Sequence, residues 1–299
     1  MAKREKICLF ILIFSIICMF TMARATDAAY EFITKWGSIG SGDGQFVAGP
    51  LGLAVDSLGY VYAGGGANGS IQKFNSDGVF VSKWGYLLVT LSIAVDTSDN
   101  IYVTDGTSIR KFDSDGIFLD MWSASGIGEN QYLSAIAIAV DSSGDVYIVD
   151  ALGNKILKFT NDGNFITKWG YQGTGKGQFY IPQAIALDPL GYVYIADYGN
   201  GRIQKFTSNG TFITKWSVGQ FFYPVGIATD ITGNVYVVDP VSNRIQKFNS
   251  IGTFITSWDA QDTGSRPFEG LRYITVDLSG NVYVTENGGY FIQKFAPIK

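Results

Sequence analysis

Any chemistry in this chain has to be built without an imidazole. Its 299 residues include no histidine, and both cysteines, Cys8 and Cys18, fall within the first 25. That closes off a histidine general base, a histidine-held zinc and a Ser-His-Asp triad. Carboxylates, aromatic rings and a few arginines remain. Aspartates recur at Asp56, Asp96, Asp141, Asp188, Asp230 and Asp277, each opening a short turn whose backbone N–H groups a carboxylate can accept from. Their expected work is structural. Asp150, Asp197 and Asp239 precede Lys155, Arg202 and Arg244 by five residues each, a spacing suited to local ion pairs or loop-closing hydrogen bonds. No catalytic constellation, metal-ligand set or cofactor motif stands out.

The aromatic residues are distributed differently. Six stretches vary in length and composition, namely 37–50, 85–91, 123–135, 170–183, 217–225 and 259–272. Aromatic and arginine side chains there make contact anchors at low entropy cost. Tyr86, Tyr180, Phe222, Tyr223, Arg266 and Arg272 are the candidate binding residues. Phe46 and Phe179, each closing a Gly-Gln-Phe triplet, are expected to plug their own loops.

The elements that hold these stretches repeat. Pro182 to Trp216 contains four short runs of period-two alternation, AIALD, YVYIAD, RIQKF and TFITKW, joined by turn signals such as Asp-Pro-Leu-Gly and Thr-Ser-Asn-Gly. Four alternating strands with tight turns make one antiparallel meander. First, second and third strands each occur six times along the chain. Fourth strands ending in Trp84, Trp122, Trp169, Trp216 and Trp258 number only five, and the sixth copy, EFITKWG at 31–37, precedes everything else. Sheet edges left open are a liability that a ring removes. The expected fold is therefore all-β, a six-bladed β-propeller of four-stranded antiparallel blades. Its closure pairs the N-terminal strand with the last blade, Tyr273–Phe295. The tryptophans, one per blade, read as packing between blades.

Residues 1–25 stand apart. Lys3, Arg4 and Lys6 precede an unbroken apolar run from Ile7 to Phe20, followed by Ala23-Arg24-Ala25. This reads as a signal peptide, with residues 26–299 as the propeller. Membrane attachment is expected only if that segment stays uncleaved. Its removal takes four of 22 basic and one of 26 acidic residues, leaving 18 against 25. An acidic body repels phosphate backbones, so nucleic acid is not an expected partner. The chain reads as a monomer, secreted or at the cell surface, whose Asn68-Gly69-Ser70 and Asn209-Gly210-Thr211 triplets make Asn68 and Asn209 candidate glycosylation sites.

The repeat resembles the NHL-repeat family of β-propellers. The residues that carry the resemblance are the first strands of the form GIATD, the second strands of the form NVYVVD, and Asn243-Arg-Ile-Gln-Lys-Phe248 entering a third strand. The loops GSGDGQF (40–46) and GTGKGQF (173–179) match as well. Ala63-Gly64-Gly65-Gly66 in the first blade and the short Asp105–Ser108 loop in the second depart from the pattern. The resemblance implies a rigid disc whose loops between fourth and first strands, and between second and third, share one face. It implies a non-catalytic binding module for an extracellular protein, peptide or glycan. The alternative it leaves is a lactonase-like hydrolase or lyase with carboxylate-held calcium. The residues entering the first strands, Leu51, Ser92, Ala135, Gln183, Val225 and Arg272, include no carboxylate.

Overall fold

A computed structural model describes residues 30–65, 69–85, 90–123, 131–132, 134–217, 223–241, 244–259, 270–286 and 288–298. Its strands form six four-stranded antiparallel sheets. Five are continuous in sequence, and the sixth joins Leu271–Val276, Val282–Glu286 and Phe291–Pro297 to the first strand of the chain, Tyr30–Trp36. That strand runs antiparallel to Phe291–Pro297, from Tyr30 opposite Pro297 to Trp36 opposite Ile292, with a bulge between Phe32 and Thr34. The ring closes as the strand count requires. Among the described residues, no helix is long and apolar enough to cross a membrane.

Each blade is built on one polar triad. In the fourth blade the Asp188 carboxylate accepts from the backbone N–H of Leu190 and Tyr192 and from the Tyr194 hydroxyl at 2.8 Å. The same aspartate–tyrosine bond occurs at Asp56–Tyr62, Asp96–Tyr102, Asp141–Tyr147, Asp230–Tyr236 and Asp277–Tyr283. A third-strand lysine lies over each of these rings, with Nζ 4.7–5.6 Å from the centroid. Burial drives the phenols above their ordinary range, to about 12 for Tyr147, where Lys158 restrains the rise. They therefore stay protonated and keep donating to the carboxylates.

Blades are then tied to their neighbours. Lys73, Lys205 and Lys294 donate to carbonyls of the next blade's outer turn, at Ser114, Ser250 and Ser76. Five of the six outer-strand tryptophans lie against a turn glycine of the next blade. A Cβ at Gly210 (φ +85°) would stand 2.6 Å from Trp169, and Gly78, Gly116, Gly163 and Gly252 meet Trp36, Trp84, Trp122 and Trp216 in the same way. The sixth blade has no such turn, because its outer strand arrives from the start of the chain. Tyr30 replaces it, stacking on Trp258 at 4.1 Å and accepting from Lys247 Nζ at 3.2 Å.

Candidate functional site

The inner strands of the six blades surround a narrow channel of about 190 Å³, lined by residues such as Ala54, Ile93, Ile138, Ile185, Thr229 and Ile274. Its two mouths differ. One is bordered by turns between first and second strands and carries Asp56, Asp96, Asp141 and Asp277. Those carboxylates are already committed to backbone N–H groups and tyrosines. The other mouth is bordered by loops entering the first strands and by the loop after the third blade's second strand. It opens a cavity of about 310 Å³ lined by Leu91, Ser134, Ile136, Ala151, Leu152, Ile181, Gln183, Val225, Arg272 and Tyr273. Both loop classes thus share one face.

Three local features shape this cavity. Pairing of the sixth blade's inner strand to its neighbour slips between Leu271 and Ile274, and a bulge of this kind re-aims side chains. Arg272 lies exposed and Tyr273 half-buried at the mouth. The Tyr273 N–H donates to Thr285 Oγ1 at 3.1 Å. Burial raises the Tyr273 phenol above its ordinary range, against the pull of the adjacent Arg272 charge. Gly226, in the fifth blade's inner strand, lets the bulge come close, since a Cβ there would sit 2.3 Å from the Arg272 carbonyl oxygen. Across the mouth, Ile181 takes a left-handed backbone (φ 51°), rare for a β-branched residue. Its N–H donates to Asn154 Oδ1 at 2.8 Å, and Asn154 has the same φ.

The loop carrying Ile181 is pinned from below. Arg202 donates through Nε to Asp197 Oδ2 at 2.7 Å, through Nη1 to the Thr174 carbonyl at 2.6 Å, and through Nη2 to those of Gly175 and Gln178. Asp197 Oδ1 accepts from the Tyr180 N–H at 2.8 Å. Gln204 and Gln72 each bridge a Gly-Gln-Phe loop, donating to the glutamine carbonyl and accepting from the glycine N–H. Phe46 and Phe179 are fully buried beneath, beside Phe74 and Phe206. In the third blade Asp150 Oδ1 accepts from the Ser134 and Gly153 N–H groups, and Lys155 donates to the Gln131 carbonyl. The aspartate–cation spacing in the sequence thus serves loop closure.

Of the candidate binding residues, Tyr180, Tyr223 and Arg272 are described. Tyr180 is 44% and Tyr223 45% exposed. The Tyr180 ring covers Gly199, in the short 3₁₀ turn Tyr198–Asn200, and Tyr223 lies against Tyr198 with centroids 4.9 Å apart. One turn therefore gathers Tyr180, Tyr198 and Tyr223 on the loop-bearing face. Arg272 borders the cavity with Val225 and Ile181, the near neighbours in sequence of Tyr223 and Tyr180. Tyr86, Phe222, Arg266 and Asn68 lie outside the described residues, as does the segment 1–25. Asn209 is exposed on the fourth blade's outer turn, where Thr211 Oγ1 donates to its Oδ1. Tyr132, from the same aromatic-rich class of loop, is buried and donates to the Thr107 carbonyl. Tyr198, Asn154 and Tyr273 belong to this face and escaped the sequence reading. The Tyr-Gly-Asn-Gly turn following Asp197 was a signal for Tyr198 alone.

Residues 179–206 match the family model for the NHL repeat. No curated protein matches the chain in sequence. Among solved structures, a catalytically inactive histidine-to-alanine variant of virginiamycin B lyase from Staphylococcus aureus, with quinupristin, superposes with a TM-score of 0.61. It is 16% identical, with 90% of this chain and 99% of that one covered. A gluconolactonase from Xanthomonas campestris gives 0.63 at 15% identity, covering 84% and 86%. A chain of a nidogen/laminin complex gives 0.56 at 18% identity, covering 71% and 81%. At these identities the likeness is one of fold.

Proposed function

The chain is a six-bladed β-propeller carrying the NHL repeat, and on that scaffold we propose a binding module, exported and acting outside the cytoplasm, whose loop-bearing face receives a protein, peptide or glycan partner. The observation that carries this reading is the pairing of an exposed tyrosine cluster with an adjoining cavity of mixed polar and aliphatic lining on one face. Aromatic anchors beside a desolvated pocket are the usual core of a contact surface. The described loop 173–180 is tied down by Arg202 and Gln204, and the Ser134 N–H by Asp150, so ordering those segments on contact costs little. The structural likeness to a chain in a nidogen/laminin complex is consistent with it.

The lyase and lactonase neighbours favour a second reading, hydrolysis or elimination at the same mouth. Its chemistry finds weaker support in this chain. The lyase variant described as inactive lacks one histidine, and this sequence has none to supply. A calcium ion needs several oxygen ligands, preferably carboxylates. The described lining of the cavity offers a guanidinium, one amide and two hydroxyls, a set that does not fit a divalent cation. Capture experiments with the purified mature chain against its own extracellular fraction separate the readings. Retention of a partner, lost on Tyr180→Ala with Tyr223→Ala, supports the module. Turnover of a lactone or a cyclic depsipeptide, or capture indifferent to both substitutions, overturns it. Recovery of Asn209 with a glycan mass would support passage through a glycosylating export route, and an unmodified Asn209 there would remove that part of the proposal.

A further inference from the structure

The cavity beside the tyrosine cluster has a chemical polarity of its own. Arg272 stands on one wall, at the bulge, and no described residue forms a hydrogen bond or ion pair with its guanidinium. Gln183, Ser134 and Tyr273 add neutral polar groups near the rim. The remaining lining is aliphatic: Leu91, Ile136, Ala151, Leu152, Ile181 and Val225. The volume of about 310 Å³ corresponds to about ten waters. The aliphatic wall is held in place at a backbone cost, since Ile181 is locked left-handed by Asn154. Strained residues persist where the surrounding structure over-determines them, often at ligand clamps.

We propose that this cavity binds a carboxylate carried on a short apolar stem, the carboxylate against Arg272 and the stem along Ile136, Ile181 and Val225. Arginine recognises a carboxylate through paired N–H donors. The wall formed by Ile136, Ile181 and Val225 offers the hydroxyls of a sugar no side-chain partner, and burying hydroxyls unpaired is costly, so an acidic glycan is the poorer fit. The shared chemistry has two sources, the free C-terminus of a peptide ending in an aliphatic residue and a free medium-chain organic acid. The inference rests on reading the loop-bearing face as a binding surface, and it narrows the ligand within that reading.

Calorimetric titration of the purified mature chain tests it with four probes: hexanoate, hexanamide, and an N-acetylated tripeptide ending in leucine with a free or an amidated C-terminus. The free acids are expected to bind roughly tenfold or more tightly than their amides. Tighter binding of the peptide acid assigns the terminus as the source, and tighter binding of hexanoate assigns the small acid. Arg272→Gln should abolish the preference for acids over amides, and Arg272→Lys should retain part of it. Gln183→Glu, nearly isosteric, should weaken acid binding by like charge and so narrow the preference for acids over amides. Unchanged melting and circular dichroism confirm that each variant is folded. Equal affinity for acid and amide, no binding at millimolar probe, or acid binding indifferent to Arg272→Gln would each overturn the proposal. Partner capture that depends on Tyr180 and Tyr223 can survive that outcome, so the two readings fail separately.

Discussion

Tyr30 carries the seam, and its removal should cost more than that of any exposed residue on the same strand. The ring is buried, stacked 4.1 Å from Trp258 at 14° between planes. Its hydroxyl lies 2.7 Å from that of Tyr236, which donates its own proton to Asp230. Tyr30 is therefore the donor to Tyr236, and its oxygen accepts from Lys247. Tyr30→Phe keeps the stack and deletes both bonds, a loss of about 1–2 kcal/mol. Tyr30→Ala also empties a buried aromatic site, for about 3–5 kcal/mol in all. For a domain of this size these correspond to melting-point drops of about 2–8 °C and about 6–20 °C. Differential scanning calorimetry of residues 26–299, with exposed Glu31→Ala on the same strand as reference, reads both. A Tyr30→Ala melt within a degree or so of the Glu31→Ala melt would refute the reasoning.

Three further outcomes follow from the same geometry. Burial would raise the Asp230 carboxyl, but bonds from Thr232, Asn234 and Tyr236 outweigh it and hold the group at about 2, against an ordinary 3.8. Its stabilisation, about 2 kcal/mol, is present above the ordinary value and fades as pH falls from there towards 2. Urea melts of Asp230→Asn should show a flatter acid limb than wild type, and an unchanged limb would contradict this. Gly210→Ala should lose about 1–3 kcal/mol beyond the backbone cost alone, because its Cβ meets Trp169. Gly191→Ala, at a similar φ with open space, isolates that backbone cost, and equal losses would refute the clash. Arg202→Lys cannot span Asp197, Thr174, Gly175 and Gln178 together. Amide exchange across residues 173–180 should then rise roughly tenfold or more, and unchanged protection would count against the clamp.

Much of this architecture was legible because each blade repeats the same local instructions. The aspartate turns, the second-strand tyrosines and the outer tryptophans recur at fixed offsets, and a count of one missing fourth strand was enough to close the ring. The site was legible only where it follows that pattern. Gln183, Val225 and Arg272 could be placed at the mouth because they enter first strands. The bulge that re-aims Arg272, the left-handed Ile181 held by an asparagine from another blade, and Tyr198 beside Tyr223 all depend on contacts between distant segments. Tyr30 is the clearest case. Its role exists only because the sixth blade lacks an outer turn, and no local pattern distinguishes it from the other aromatics of its strand.

The account turns on which face of the disc meets a ligand. Hydrogen exchange of residues 26–299, with and without the tripeptide acid at saturation, answers that directly. Added protection at residues 180–183, 223–226 and 271–274, with the turns at Asp56, Asp96, Asp141 and Asp277 unchanged, is the predicted footprint. Protection confined to those aspartate turns, or to the outer strands, would contradict it.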